Sequence, residues 1–318
     1  MYEAGAIAAA ARILHVDGMV AFPTETVYGL GADAFNPRAV ARIFEVKGRP
    51  TFDPLIVHLA EPEALAGVTT ARDERIARLG ERFWPGPLTL VLPRHPAVPD
   101  LVTAGLDTVG VRIPDHPGAR ALIRAAGTPV AAPSANAFSY VSPTTAAHVA
   151  EQLGDRVDLI LDGGPCRIGL ESTILSLAEA PPRILRPGGV TREELEAALG
   201  RSLEVAEATE RPLSPGQFVR HYATRTPLQV QSHAGESPPP GAGRVGLLAF
   251  TAPSYASRYA ALEVLAPDGR LATAAANLFA ALRRLDALGL DLLLAEPFPE
   301  EGLGRAIMDR LRRCAAPS

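Results

Sequence analysis

Lysine is nearly missing from this 318-residue chain, in which Lys47 stands alone against thirty arginines. Cysteine is almost as scarce, with only Cys166 and Cys314 present and far apart. Two thiols so spaced build neither a disulfide framework nor a thiolate zinc site, which excludes the disulfide-stapled secreted scaffolds and the zinc-finger classes. No uninterrupted apolar stretch reaches the ~18 residues that a membrane-spanning helix needs. The first residues place Glu3, Arg12 and Asp17 around a short alanine-rich helix rather than a signal core. The chain therefore reads as soluble and cytoplasmic, with no membrane contact. A basic excess is wanting too, since 31 Lys and Arg against 35 Asp and Glu leave a net charge of −4. That balance argues against a protein that grips duplex nucleic acid by bulk electrostatics and leaves room only for a local basic patch.

A single lysine in so arginine-rich a chain marks a position where a compact ammonium serves better than a planar guanidinium. Lys47 is therefore the first catalytic candidate. It lies in Glu45-Val46-Lys47-Gly48-Arg49-Pro50, two cations flanking a glycine that lets a backbone approach a ligand without Cβ interference. The pairing suits phosphate, with lysine as the point charge and arginine as the fork. A solvated lysine near a helix end, favoured by the helix dipole, is the plainer alternative.

Length and a 47% hydrophobic content exceed what one core usually absorbs, so two domains are expected. Residues 1–200 alternate strand-like and helix-period segments, the pattern of an α/β layer fold. Strands are predicted at 19–22, 55–59, 88–92, 108–113, 129–132, 157–161 and 172–177. Asn36-Pro37 opens a helix through Val40, Ile43 and Phe44 that Gly48 stops, and Ile76, Leu79 and Phe83 share one face of another. Thr191-Arg192-Glu193-Glu194 is a capping box for a helix closed by Gly200. Residues 201–227, polar and rich in Pro, Ser and Arg, read as a linker. Beyond it, strands at 228–230, 245–250 and 290–295 and a helix through Leu271, Leu278, Leu282 and Leu285 predict a small βαβ domain, with a last helix over 304–314. Ser237-Pro238-Pro239-Pro240-Gly241 predicts a mobile loop within it.

Gly241-Ala242-Gly243-Arg244-Val245-Gly246 matches G-x-G-x-x-G, yet it precedes a strand, the reverse of a dinucleotide fingerprint. Gly29-Leu30-Gly31 precedes a helix but lacks an acidic ribose partner about 20 residues on. More informative is Phe22-Pro23-Thr24-Glu25-Thr26-Val27-Tyr28-Gly29, which gathers hydroxyls, a carboxylate and glycine directly after a strand, where α/β proteins bind ligands. A generic turn is the alternative there. Pro133-Ser134-Ala135-Asn136, also past a strand, offers a hydroxyl and an amide to phosphate oxygens, or forms an Asx-type turn. Ser142-Pro143-Thr144 predicts a helix start with serine as cap, and a helix N-terminus is itself an anion site. Arg112, in the apolar run 109–113, needs an anionic partner, which a substrate carboxylate or a structural acid would equally supply. His58 inside 55–59 reads as a core histidine or a catalytic one.

Together these segments closely resemble the threonylcarbamoyl-AMP synthase family in its long form, a YrdC-like domain followed by a smaller C-terminal domain. The matching pieces are Pro23-Thr24-Glu25-Thr26-Val27-Tyr28-Gly29-Leu30, Lys47-Gly48-Arg49-Pro50, Pro54-Leu55-Ile56-Val57-His58, Trp84-Pro85-Gly86-Pro87-Leu88-Thr89, Val111-Arg112-Ile113-Pro114, Pro133-Ser134-Ala135-Asn136 and Glu171-Ser172-Thr173. They run in the family's order, and Ser214-Pro215-Gly216, His221-Tyr222, Gly302-Leu303-Gly304-Arg305-Ala306 and Asp309-Arg310-Leu311 extend the likeness to the end.

The resemblance implies a YrdC-like twisted mixed sheet flanked by helices over 1–203, an interdomain linker or lid over 204–227, and a Rossmann-like α/β domain over 228–318. It implies condensation of L-threonine, bicarbonate and ATP with magnesium to threonylcarbamoyl-AMP and pyrophosphate. Other proteins would then transfer the threonylcarbamoyl group to the adenosine beside a tRNA anticodon, with at most weak tRNA contact by this chain. Carried over residue by residue, Lys47, Arg49, Ser134 and Asn136 are the catalytic set. Arg49, Asp53, Thr108, Ser134, Ser142, Arg186 and Tyr222 fall on the ATP side, while Thr26, His58, Arg112, Ala132 and Ser172 surround threonine. Magnesium would ride on the phosphates without dedicated protein ligands. Asp53 stands where the family has asparagine, which puts its contact with ATP in question, and His221-Tyr222-Ala223-Thr224 lacks the family's proline after alanine. Two rivals are a non-catalytic RNA-binding module of this fold and a carbamoyl-phosphate-using transferase, whose zinc-finger segments two cysteines cannot make.

Overall fold

The computed structural model describes residues 4–207, 209 and 212–317. Helix α1 (Ala4–His15), strands β1 (Val20–Phe22) and β2 (Gly29–Asp33) and helix α2 (Pro37–Lys47) come first. Asn36 caps α2 by accepting from Arg38 N and Ala39 N, and Gly48 closes it at φ 62°, so local sequence alone sets both ends. Its buried stripe is Val40, Ile43 and Phe44, and Lys47 is buried with them. Then follow β3 (Ile56–His58), α3 (Glu74–Phe83), β4 (Leu88–Pro93), the single turn α4 (Asp100–Thr103), β5 (Thr108–Arg112), α5 (Pro117–Ala126) and β6 (Val130–Ala131). The first unit is completed by α6 (Ala146–Leu153), β7 (Leu159–Ile160), β8 (Thr173–Ser176), β9 (Arg183–Arg186), α7 (Arg192–Leu199) and β10 (Glu204–Val205).

These strands form one mixed sheet in the order β10-β9-β8-β4-β5-β3-β6-β2-β1-β7. Helices α1 and α5 pack Ala10, Leu14, Leu122 and Ile123 against Val20, Phe22 and Val130, and a larger core gathers Val40, Ile43, Leu79 and Leu195 with Leu30, Val57, Leu90 and Val111. The second unit carries β11 (Leu228–Val230), β12 (Val245–Ala249), β13 (Ala261–Val264), α8 (Leu271–Asp286), β14 (Leu292–Ala295) and α9 (Leu303–Ala315). Its sheet, β11-β14-β12-β13, is parallel throughout. Val27, Val141 and Leu170 of the first unit join Phe279, Ile307 and Leu311 of the second in one apolar cluster, so a continuous core crosses the junction. No helix among the described residues is long and apolar enough to cross a membrane.

Four strands differ from the sequence-based expectation. Residues 29–33 form β2 rather than remaining a glycine-rich turn, because the Phe22 ring lies on Gly31 so closely that a Cβ there would come within 2.7 Å of it. Strands β9 and β13 are four residues each and gave no alternation long enough to read. Strand β10 pairs in parallel with β9, carrying the first sheet into the segment expected as linker. Ser142 does not cap a helix. Helix α6 starts at Ala146 with Thr145 as its cap, since the Ser142 hydroxyl is committed to Glu171 instead.

Candidate active site

Strands β3 and β5 run in parallel with His58 opposite Arg112, and alternate residues of a strand share a face, so Ile56, His58 and Arg112 project together. They line a cavity of about 50 Å³ with Thr24, Thr26, Arg49, Ala132, Ser134, Glu171, Ser172, Arg186, Gly216, His221 and Tyr222 among its walls. The cavity thus lies over the face of the central strands rather than beyond their carboxyl ends.

On one side, the β1–β2 loop is tied into shape by Thr24, whose hydroxyl lies 2.8 Å from that of Thr26 and donates to Val27 O at 2.7 Å. Arg112 is its anchor. Its Nη1 donates to Thr26 Oγ1 at 2.9 Å, Nη2 to Glu25 Oε1 at 2.6 Å and Nε to Gly86 O at 3.2 Å. The structural acid anticipated for Arg112 is therefore Glu25, yet a guanidinium has five N–H groups and these bonds use three. One N–H on each terminal nitrogen remains, a fork suited to a carboxylate. His58 Nδ1 lies 3.2 Å from Ile56 O, and burial, aided by the charge of Arg112, lowers its pKa to about 3. The imidazole is neutral at any working pH and does not repel what Arg112 attracts. Ser172 shares a hydroxyl–hydroxyl contact of 2.8 Å with Thr89.

On the other side, Lys47 donates from Nζ to Ser134 O at 2.7 Å and to Asn136 O, so the lysine fastens the 133–136 loop as well as supplying charge. Burial, then the neighbouring Arg49, push its pKa well below the ordinary lysine value. Arg49 Nη2 sits 2.8 Å from Asp53 Oδ2, but its N–H groups point at Asp53 O and Pro54 O, leaving the Asp53 oxygens without a hydrogen-bond donor. Asp53 thus stands behind Arg49, outside the cavity wall. Arg186 donates to Ser172 O and Oγ and to Pro215 O. Asn136 Nδ2 donates to Ala137 O and Tyr140 O, both at 2.8 Å, which leaves Oδ1 buried and unpartnered.

Of the residues singled out in the sequence, Thr26, His58, Arg112, Ala132, Ser172, Arg49, Ser134, Arg186 and Tyr222 line the cavity. Lys47, Asn136 and Asp53 are not in its lining, but Lys47 bonds the backbone of the lining Ser134 and Asp53 pairs with the lining Arg49. Ser142 is held by Glu171, and Thr108 lines a smaller neighbouring cleft under Leu213, Ser214 and Pro215. Sequence reasoning left Glu171 and His221 without roles, although each was quoted within a motif. The signal for Glu171 was there to be used: a carboxylate next to a hydroxyl pair at the mouth of an apolar strand needs a cationic partner.

The linker closes the cavity. Tyr222 is 1% exposed, takes φ 63°, stacks on Phe279 of α8 with centroids 5.6 Å apart, and keeps its hydroxyl unpartnered. Gly216, at φ 80°, lets that hydroxyl pass, since a Cβ there would stand 2.7 Å from it. Beside it, His221 Nδ1 and Ser214 Oγ are also buried without partners. Buried polar atoms are ordinarily satisfied, so this concentration around one cavity marks a missing ligand. Charge says the same. Lys47, Arg49, Arg112, Arg186 and Arg310 are buried here against Glu25, Asp53 and Glu171, and neither Lys47 nor Arg186 has a carboxylate within ion-pair distance among the described residues. Two buried cations without counter-ions fit an anionic ligand.

Comparison with known proteins gives the same region a family context. A family model described as "Telomere recombination" matches residues 12–188, and one described as "Threonylcarbamoyl-AMP synthase, C-terminal domain" matches 190–316. A threonylcarbamoyl-AMP synthase of Bacillus subtilis is 47% identical over 97% of this chain and 92% of its own length. One from Pyrococcus abyssi is 42% identical over 96% and 93%. The crystal structure of P. abyssi Sua5 complexed with L-threonine superposes with a TM-score of 0.92 at 41% identity, covering 99% of this chain and 95% of that one.

Proposed function

The chain belongs to the threonylcarbamoyl-AMP synthase family, enzymes of the nucleotidyltransferase type, and we propose that it condenses L-threonine, bicarbonate and ATP into threonylcarbamoyl-AMP and pyrophosphate. The observation that carries this reading is the buried charge imbalance: among the described residues neither Lys47 nor Arg186 has a carboxylate within ion-pair distance, and both stand beside a guanidinium fork on Arg112. The archaeal relative solved with L-threonine supports the amino-acid half of the assignment.

In this mechanism the threonine carboxylate takes the two free N–H groups of Arg112, with Thr26, Ser172 and neutral His58 around the rest of the amino acid. Its amine attacks bicarbonate carbon and water leaves, giving a carbamate. A carbamate oxygen then attacks the α-phosphorus of ATP, the P–O bond to the β-phosphate breaks, and pyrophosphate departs with that bonding pair. Little side-chain acid–base chemistry is required. The chain's contribution is positioning, together with cations where oxygen charge grows, here Arg49, Lys47 and Arg186. Closure by Tyr222 keeps water from a hydrolysable mixed anhydride.

The residues present also fit magnesium bound to the phosphates. The three carboxylates nearest the cavity are each engaged by an arginine, no metal-holding cluster occurs among the described residues, and the unpartnered Oδ1 of Asn136 is an oriented neutral acceptor. Asn136 would hold such an ion or its water, and the ion would neutralise phosphate charge. The catalytic domain is assigned to 1–203, the linker to 204–227 and the second domain to 228–318. The product would serve threonylcarbamoylation of tRNA next to the anticodon by other proteins in the cytoplasm.

The test is pyrophosphate release from ATP and magnesium with threonine and bicarbonate omitted in turn. Release that needs both is expected. Release indifferent to threonine would overturn the assignment, and tight RNA binding without release would favour a binding module.

A further inference from the structure

Arg310 is a fully buried side chain, 0% exposed, on a helix of the second unit rather than the one that holds the cavity. It sits on the apolar face of α9, between Ile307 and Leu311, both of which belong to the core shared by the two units. A guanidinium is costly there unless it is paired and hydrogen-bonded. Two of its nitrogens reach across the junction, Nε donating to Glu171 Oε2 at 2.8 Å and Nη2 to Pro187 O at 2.9 Å, while Nη1 donates to Asp309 Oδ2 on its own helix at 2.5 Å. The flat face of the same group lies 4.9 Å from the centre of the Tyr222 ring, opposite a π-system that favours a cation.

Both partners belong to the cavity wall. Glu171 Oε1 accepts from Ser142 Oγ at 2.5 Å, so its second oxygen is what Arg310 holds. Tyr222 comes from the linker and is gripped between Phe279 and Arg310, each supplied by the second unit. Asp309, next in sequence, accepts from Arg313 Nε at 2.9 Å, and Arg313 in turn donates to Phe218 O and accepts from His221 N at 3.2 Å. One helix therefore touches the linker at Phe218, at His221 and at its closing tyrosine.

We propose that Arg310 is a positioning residue of the active site, through which the second domain fixes the Glu171 carboxylate and clamps Tyr222 in the closed linker. The inference rests on the synthase reading of the cavity and adds to it a duty for the C-terminal domain. It also accounts for a fully buried arginine between Ile307 and Leu311 of the shared core. The groups facing Glu171 are Arg310 from α9, Arg186 from β9, the Ser142 hydroxyl and Tyr222, with Asp309 behind Arg310. Burial alone would drive Glu171 toward its neutral form, and Arg310 first, then Arg186 and Ser142, hold it below the ordinary carboxylate range. With Arg310 gone, Glu171 takes up a proton at higher pH and lets go of its orientation.

The experiment uses the full chain in four forms: parental, Arg310→Met, Arg310→Lys and the double variant Arg310→Met with Glu171→Gln. Pyrophosphate release is followed from pH 5 to 9, and trypsin cleavage of the linker at Arg220 and Arg225 is timed with and without ATP and threonine. The expected result is a kcat loss of about tenfold or more in Arg310→Met, concentrated at the acid end, with ligand-dependent protection of the linker lost. Arg310→Lys restores part of both, and the double variant loses the extra acid limb that Arg310→Met adds to the parental profile, because Glu171 no longer titrates. A parental pH profile and parental linker protection in Arg310→Met would overturn the proposal, as would the added acid limb of Arg310→Met persisting in the double variant. Failure of the parental enzyme to need threonine would instead overturn the synthase reading, so the two are told apart. If Arg310→Met does not fold, Arg310→Lys carries the test: unchanged linker protection and kcat in that variant count against the clamp.

Discussion

Lys47 and Ser134 are joined through the lysine ammonium and the serine backbone carbonyl at 2.7 Å, and the same ammonium reaches Asn136 O. The side chain thus spends two of its three N–H groups on the loop that carries Ser134 and Asn136, leaving one for substrate. Lys47→Ala should lower kcat/KM for pyrophosphate release about 100-fold or more, the scale of losing a preorganised charge donor. Lys47→Arg should not restore it, because a planar fork cannot bond two carbonyls and a phosphate from one point. Parental turnover in Lys47→Ala would remove this residue from the site.

Arg112→Lys should raise the KM for threonine about tenfold or more while leaving the KM for ATP near its parental value. The reason is geometric. A lysine can replace the charge opposite Glu25 but cannot also bond Thr26, Gly86 and a carboxylate through a fixed fork. Steady-state kinetics with each substrate varied separately check it, and equal changes in both KM values would argue that the arginine is structural.

Gly216→Ala should weaken closure without unfolding the protein. Its Cβ would stand 2.7 Å from the Tyr222 hydroxyl and 3.0 Å from Arg186 Cδ, at a backbone φ of 80°. A left-handed alanine costs on the order of 1 kcal/mol even before those contacts. The expected readout is a shortened lifetime of the enzyme-bound product with an unchanged melting temperature, and Tyr222→Ala should behave alike. Parental ATP affinity and product lifetime in both variants would sink the lid.

Stability should fall in mild acid partly through His58. Its pKa is about 3 in the folded protein against an ordinary 6.5, so between those values the unfolded chain binds a proton that the native one does not. That contribution is complete above pH 6.5 and is lost as pH drops toward 3, at up to about 1.4 kcal/mol per pH unit. His58→Asn should flatten the pH dependence of unfolding free energy over that interval by a comparable slope. Curves that stay parallel would show that the imidazole is not buried neutral.

Much of the site was legible in the chain, and the part that was not has a common cause. Thr26, His58 and Arg112 lie in short motifs in or next to strands, where local chemistry left both a ligand and a structural role open, and the family resemblance added Ala132 and Ser172 to the same wall. Helix α2 was equally legible, since Asn36, Pro37 and Gly48 set its ends. What escaped were relations across long stretches of chain: Arg112 with Glu25, Glu171 with Arg310, Lys47 with two carbonyls nearly ninety residues on. A strand such as β2 escaped for the converse reason, because its glycines suit a turn until an aromatic ring from the neighbouring strand covers them.

The burial of Lys47 leaves the exterior without a single side-chain amine, since that residue is 4% exposed and no other lysine exists. Acylating reagents therefore find no lysine on the folded surface, and one inside. Modification at Lys47 becomes a clock for the opening of the cavity, readable by mass spectrometry in the parental protein with no engineered probe, and nucleotide should slow it.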